Sequence, residues 1–482
     1  MRKPLLLTTI LLFSLAAGAQ NRAKTFSLQQ AIAFALDNNN AVKNAKLDVE
    51  EARYRGWEIK TTGLPKIDAN FDYNYYFKTP QAPAFTKIFS DTSSASTKND
   101  LHVAQYFADS LHDPTLFQNL AAAAKNAKPF SFVLPHQATA GITLSQLIFD
   151  ARYAIGVSAV KDLTYSQIIL KERTDIEVAY NVRKAYIQAT AGQESEASLR
   201  TVKEIVDKIV NDARATFKEG LIEELDVNRL ELIQSNLESQ ILLQDQLAEL
   251  ALVNLKFQMG LPISEEIILT DKLTSLKDRM PAAGDSKFDP TKRVEYRLLE
   301  TAVRLKTYDV KQRRAGYYPS LVGFVNFGYN AQLSDPKYFF KNEQFQGQTL
   351  KSWNPQGLVG LKLAIPIFDS GQKWASIRQA KMELEKSKND VENFKQAAEL
   401  QVRLAQTNFN SAVQDENATS RSVALSQKIF DKTNIKYKEG VGSSFELSQA
   451  QQDLVTNRLK YVQSVMNLLI NRSELDKAMG IQ

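Results

Sequence analysis

The chain has 482 residues, with 60 basic and 54 acidic side chains for a formal charge of +6, and it contains no cysteine. The missing cysteine excludes disulfides, thiolate metal sites, thiol nucleophiles and an acylated N-terminal cysteine. The small basic excess is spread along the chain rather than gathered in a block, which describes solvated helix faces and not a nucleic-acid surface.

In chain order, Met1-Arg2-Lys3 precede an apolar stretch from Leu5 to Ala17 and the small residues Ala17-Gly18-Ala19. That order predicts a secretory signal peptide over residues 1–19, with the mature chain starting at Gln20. No later stretch offers about 18 uninterrupted apolar residues, so no transmembrane helix is expected. Ser27 and Gln30 have capping-box spacing before a helix with Leu28, Ala31, Ile32, Ala35 and Leu36 on one face. A strand is predicted over about 66–77, because Ile67, Ala69, Phe71, Tyr73, Tyr75 and Phe77 alternate with Lys66, Asp68, Asn70, Asp72 and Asn74. A long loop over 78–138 follows, then a weaker strand at about 139–148 with Ile142 and Leu144 facing Thr143 and Ser145. From Arg152 to Thr216 there is no proline and only Gly156 and Gly192. An unbroken helix there would run about 95 Å, wider than one globular core.

A tight turn at Lys218 to Ile222 separates this helix, about 152–216, from a second at about 224–258. The stretch from Met259 to Lys292 carries Pro262, Pro281, Gly284 and Pro290 and reads as a connection. Strands are predicted at about 320–330 and 357–368, with Leu321, Gly323, Val325, Phe327 and Tyr329 on one face of the first. Val359, Leu361, Leu363, Ile365 and Ile367 take the same face of the second. A helix at about 372–437, a turn from Lys438 to Ser443 and a helix at about 444–478 complete the chain. In the last helix Leu447, Leu454, Tyr461, Leu468 and Leu475 recur every seventh residue beside a smaller seam of Ala450, Asn457, Ser464, Asn471 and Ala478. A strict seven-residue period predicts left-handed coiled-coil packing.

The two halves repeat each other. Phe217-Lys218-Glu219-Gly220 recurs as Tyr437-Lys438-Glu439-Gly440, Met259-Gly260-Leu261 as Met479-Gly480-Ile481, Ile148-Phe149-Asp150 as Ile367-Phe368-Asp369, and Leu64-Pro65 as Tyr318-Pro319. The predicted division is a first repeat over 20–262 and a second over 263–482. Strands of this length suit a tilted bilayer crossing, yet four cannot close a membrane barrel, for which about eight is the minimum. Either several subunits share one barrel, or the strands form a soluble sheet.

Chemical constellations are sparse. His102, His112 and His136 all fall in the long loop at spacings that match no metal-ligand pattern. Glu223-Glu224 could serve acid and base chemistry, but beside a helix start they complement the dipole, and nothing nucleophilic accompanies them. No phosphate-cradling glycine motif is present. The alternative to a channel is a structural coiled-coil tether, which needs no bilayer-length strands with one apolar face.

The helix opening at Ser27-Leu28-Gln29-Gln30-Ala31, the Leu64-Pro65 and Tyr318-Pro319 turns, the Ile148-Phe149-Asp150 and Ile365-Pro366-Ile367-Phe368-Asp369 turns and the two Lys-Glu-Gly tips together resemble the TolC-like outer membrane efflux family over the whole mature chain. The resemblance implies a mainly α fold with a membrane β-barrel portion. In it, each subunit of a homotrimer gives four strands to a shared 12-stranded barrel, continued by an α-helical barrel through the periplasm. It implies no enzyme and no cofactor, but a passive exit duct in outer membrane lipid, fed by an inner-membrane efflux pump or ABC exporter through a periplasmic adaptor. The adaptor-docking tips implied are Lys218, Glu219, Gly220 and Leu221 with Lys438, Glu439, Gly440 and Val441. The periplasmic entrance constriction implied is Glu446, with Asp226, Gln449 and Tyr437 beside it. Gln449 departs from the acid of the family pattern, and Ser443 with Glu446 also has capping-box spacing.

Overall fold

A computed structural model describes residues 24–79, 133–280, 288–341, 343–345 and 348–481. The expected signal peptide and most of the long loop, with His102 and His112, lie outside the described residues. The chain runs β1 (Lys24–Phe26), α1 (Leu28–Asn38), α2 (Asn40–Thr61), β2 (Lys66–Tyr75), β3 (His136–Asp150), α3 (Ala151–Lys218), α4 (Glu224–Met259), β4 (Ile267–Leu269) and α5 (Leu273–Asp278). It continues through α6 (Val294–Ala315), β5 (Ser320–Leu333), β6 (Glu343–Phe345), β7 (Gln348–Leu350), β8 (Asn354–Ala364), α7 (Gln372–Lys438) and α8 (Ser444–Met479). Contacts divide it into a helical unit within 1–58, 155–314 and 372–482, and a strand unit within 59–154 and 315–371.

The helical unit is built from two long hairpins, α3 with α4 and α7 with α8. At 68 and 67 residues, α3 and α7 are each about 100 Å long. The seven-residue seam of α8 is buried at Leu447, Leu454, Leu468 and Leu475 and half-buried at Tyr461, while Ala450, Ser464 and Ala478 are buried on the smaller seam. Leu468, Leu475 and Ala478 meet Ala405, Phe409 and Ala412 of α7. Toward the hairpin turns, Leu447, Leu454 and Phe430 join Leu199, Val202 and Val206 of α3 and Leu230 and Leu237 of α4 in one four-helix cluster. Each such leucine contributes about 1.5–3 kcal/mol of burial, which makes the two hairpins one packed body here.

Two joints stack short helices end-on against long ones. Gly260 closes α4 in the left-handed region at φ 75°, and a Cβ there would stand 2.8 Å from the Asn38 carbonyl oxygen at the α1–α2 break. Asn39 spans this joint, its Nδ2 donating to Gln258 O at 2.7 Å and its Oδ1 accepting from Ala41 N at 2.8 Å. Gly480, at φ 73°, repeats the arrangement against Arg293, just before α6. The capping box at Ser27 and Gln30 forms in both directions. The parallel pair β1–β4, which no sequence pattern announced, is fastened by Tyr186, whose hydroxyl donates to Phe26 O at 2.9 Å and lies 3.2 Å from Asp271. Burial pushes that phenol up to about 12.

The strand unit is an antiparallel sheet in the order β2-β3-β5-β8. Ile67 pairs with Leu144, Leu144 with Val325 and Val325 with Val359, so one apolar row crosses all four strands, and Ala69, Ile142, Phe327 and Gly357 form the next. The opposite face carries rows such as Asp72, Thr139, Asn330 and Asn354. Most of the apolar face is uncovered in the single chain, with Ile67 73% and Val359 77% exposed. Only near one end do Tyr338, Phe339 and Trp353 cover Ala138, Ala331 and Leu333. A soluble sheet would hide this face on a core, and among the described residues no such core exists.

The strand ends differ from the sequence expectation. β2 stops at Tyr75 and β8 at Ala364, the latter because Pro366 offers no N–H to a ladder. β3 extends to His136 and Asp150, and β5 to Leu333, because these two strands pair with each other along that whole length.

Candidate functional site

Both hairpin turns are closed by the same backbone device. Gly220 N donates to Phe217 O at 2.8 Å and Leu221 N to Thr216 O at 3.1 Å; Gly440 N donates to Tyr437 O at 3.1 Å and Val441 N to Lys436 O at 3.0 Å. Each crossed pair needs a left-handed residue, supplied by Gly220 at φ 73° and Gly440 at φ 75°. Lys218, Glu219, Lys438 and Glu439 are exposed, and Leu221 and Val441 present apolar side chains to solvent at 76% and 78% exposure. Each turn therefore combines charged side chains with one exposed aliphatic residue.

Six residues past each glycine the two repeats diverge. The Ser443 hydroxyl accepts from Glu446 N at 3.1 Å, but the reciprocal capping bond does not form, and the Glu446 side chain stands exposed. Asp226, its counterpart, is half-buried and accepts a hydrogen bond from the Ser444 hydroxyl of the other hairpin. Tyr437 lies half-buried nearby, and burial, followed by the Asp226 charge, pushes its phenol up. Gln449 is exposed and donates to Asp453 at 3.0 Å along its own helix. Glu446 and Gln449 thus face solvent, whereas Asp226 and Tyr437 sit at the seam between hairpins. Two further contacts cross that seam: the Arg229 guanidinium lies 6.0 Å from the Phe445 ring centre, and Lys438 lies 3.9 Å from Asp212.

Ser444, the hydroxyl that holds Asp226, was not visible in the sequence. It follows the capping Ser443 directly, and only its burial, at 1% exposure, separates the two roles. Glu223 precedes α4 without a side-chain cap bond, while Glu224 and Asp226 occupy its acidic first turn. His136, the one described histidine, opens β3 and shares a 2.8 Å hydrogen bond with the Tyr73 hydroxyl while stacking on Tyr75.

Residues 297–481 match the family model described as outer membrane efflux protein. Over 348 residues the chain is 19% identical to the outer membrane protein TolC of Salmonella enteritidis, covering 72% of this chain and 69% of that one. The structure of the Campylobacter jejuni CmeC outer membrane channel superposes with a TM-score of 0.66 at 16% identity, covering 94% of this chain and 85% of the other. The chain is TolC-like. A 26% identity to the alkaline protease secretion protein AprF of Pseudomonas aeruginosa extends over 156 residues, about a third of this chain and 30% of that protein. The mainly α fold with its small β portion is common to this chain and the superposed channel, and the TolC-like pattern covers both repeats rather than the second alone.

Proposed function

We propose that this TolC-like chain is the outer membrane exit duct of a tripartite efflux or type I secretion system, conducting solutes passively and performing no catalysis. The observation that carries the reading is the four-stranded sheet of bilayer length whose apolar face and two outer edges are bare, in a chain with no described helix apolar enough to cross a membrane. In lipid an open sheet edge leaves backbone groups without partners, so the sheet must close, and four strands close only by pooling copies. A homotrimer supplies twelve. The similarity to TolC and to AprF supports a duct whose cargo is set by an inner-membrane pump or ABC exporter acting through a periplasmic adaptor.

Within this reading Leu221 and Val441, flanked by Lys218, Glu219, Lys438 and Glu439, dock the adaptor. Glu446 forms a threefold acidic ring at the periplasmic entrance, with Gln449 a polar ring beyond it. Asp226 takes a different role from Glu446, since its carboxylate is engaged by Ser444: with Tyr437 it latches one hairpin to the other. Membrane fractionation followed by light scattering in detergent tests the reading, with an outer-membrane trimer expected and a soluble periplasmic monomer refuting it.

A further inference from the structure

Inside the chain, the last strand of the first repeat, β3, lies beside the first strand of the second repeat, β5. In that junction Ala140 stands opposite Tyr329, Ile142 opposite Phe327, Thr143 opposite Asn326 and Leu144 opposite Val325. The landmarks that align the repeats, Phe149 with Phe368 and Pro65 with Pro319, make β8 the counterpart of β3 and β2 the counterpart of β5. Within the described four-stranded sheet β8 and β2 are also the two strands with a neighbour on one side only. The junction β3 makes within the chain can therefore recur at β8 only with β2 of another copy.

We propose that β8 pairs with β2 of the next copy in the register of the β3–β5 junction, setting Lys362 opposite Asp72 of that copy. This rests on the channel reading above and specifies the partner surface that the reading leaves open. Transferred residue by residue, the register sets Val359 opposite Tyr75, Leu361 opposite Tyr73, Leu363 opposite Phe71 and Ile365 opposite Ala69. Seven of the eight belong to the apolar face of their strands, and Ile365 continues the alternation one residue past the end of β8. On the water-facing side Lys362 meets Asp72, and both are exposed in the single chain. A slip of one residue would turn the apolar set into water. A slip of two keeps the faces but sets Lys362 opposite Asn70 or Asn74, losing the charge pair.

Two details beyond the strand agree with the same transfer. Asp369, which also accepts from Gly371 N at 3.3 Å, falls opposite Lys66. The irregularity between Leu147 and Phe149 in the inner junction has its counterpart at Pro366 to Phe368, where a proline cannot donate to a regular ladder. A row entering one copy at Ile67 leaves it at Val359 and enters the next at Tyr75, so it climbs along the strand as a tilted barrel wall requires.

The absence of cysteine makes the register directly readable by disulfide trapping. Residues directly opposite in an antiparallel pair lie about 4.5–5.5 Å apart at Cα, within disulfide reach, whereas those displaced by two lie about 7–8 Å apart, outside it. Oxidised membranes carrying Lys362→Cys with Asp72→Cys are expected to give covalent trimers on a non-reducing denaturing gel, and Lys362→Cys with Asn70→Cys or Asn74→Cys are not. Asp72→Lys alone should lower the heat-resistant oligomer fraction about three- to tenfold, and Asp72→Lys with Lys362→Asp should restore it. Preferential cross-linking of a displaced pair, or no recovery in the double reversal, overturns the register while leaving the trimer intact. A monomer by light scattering for the unsubstituted protein overturns the channel reading itself.

Discussion

The Asp226–Ser444 contact is the sharpest test of how the two hairpins are held together. Ser444 is buried, so removing the carboxylate leaves its hydroxyl without the acceptor it has when the two hairpins are docked. A hydrogen bond to a charged group is worth about 1.5–3 kcal/mol, and because Asp226 is half-buried the lower end applies. About 1.5 kcal/mol shifts the balance between docked and separated hairpins roughly tenfold in each subunit. Asp226 also lies in the first turn of α4, where its charge favours the helix dipole, so Asp226→Ala alone mixes two effects. Ser444→Ala removes the hydroxyl and leaves the dipole untouched. Planar-bilayer recording of Asp226→Ala, Ser444→Ala and the double variant should show longer or more frequent open events in each single variant. The double variant should add nothing beyond Asp226→Ala. Strictly additive effects, or unchanged gating in Ser444→Ala, would refute the latch.

Gly220→Val and Gly440→Val place a β-branched residue at φ 73° and 75°, a cost of roughly 1–2 kcal/mol per turn; export should fall while detergent-stable trimers persist, and normal export in the double variant would count against docking at the tips. Gly260→Ala combines a left-handed backbone with a Cβ 2.8 Å from the Asn38 carbonyl oxygen, so circular dichroism should register a lower unfolding midpoint, and an unshifted midpoint would show that the end-on joint is loose. Leu454→Ala, in the four-helix cluster, should cost about 2–5 kcal/mol of hairpin stability by the same measurement. In the proposed trimer, three Glu446 carboxylates about 8 Å apart in water would repel by only about 0.5 kcal/mol per pair, so such a ring would tolerate closure yet attract cations. Glu446→Ala should weaken block by multivalent cations without dissolving the trimer, and unchanged block would reduce Glu446 to a helix-end residue.

The sequence made the long elements legible because each was specified redundantly. In α8 the seven-residue seam, the Ser443 cap and Gly480 all mark the same helix, and in β2 every second residue repeats one choice of face. What it did not show depends on partners far apart in the chain. β1 is three residues long and exists through β4 and Tyr186, none of which carries a periodic signature. The end of β8 was placed too late because alternation continues through Ile367, while the missing donor at Pro366 decides where the ladder stops. The same limit applies just past the hairpin turns. Spacing equated Asp226 with Glu446, but which carboxylate stays in water is set by a serine on the opposite hairpin.

That divergence follows from what duplication can and cannot preserve. The backbone devices are kept in both repeats, since Gly220, Gly260, Gly440 and Gly480 all occupy the left-handed region and a substitution at any of them is strained. Side chains at equivalent positions meet different neighbours, because the first residues of α4 lie against α8 and α7, while Glu446 on α8 has no hairpin in front of it. A carboxylate inherited at both sites is therefore free to become an internal tie in one repeat and a solvent-facing charge in the other. The strand unit shows the converse. There β3 meets β5 within the chain, while among the described residues β8 and β2 keep open edges that carry the same apolar alternation as that junction, and an open edge is a template for pairing with another chain.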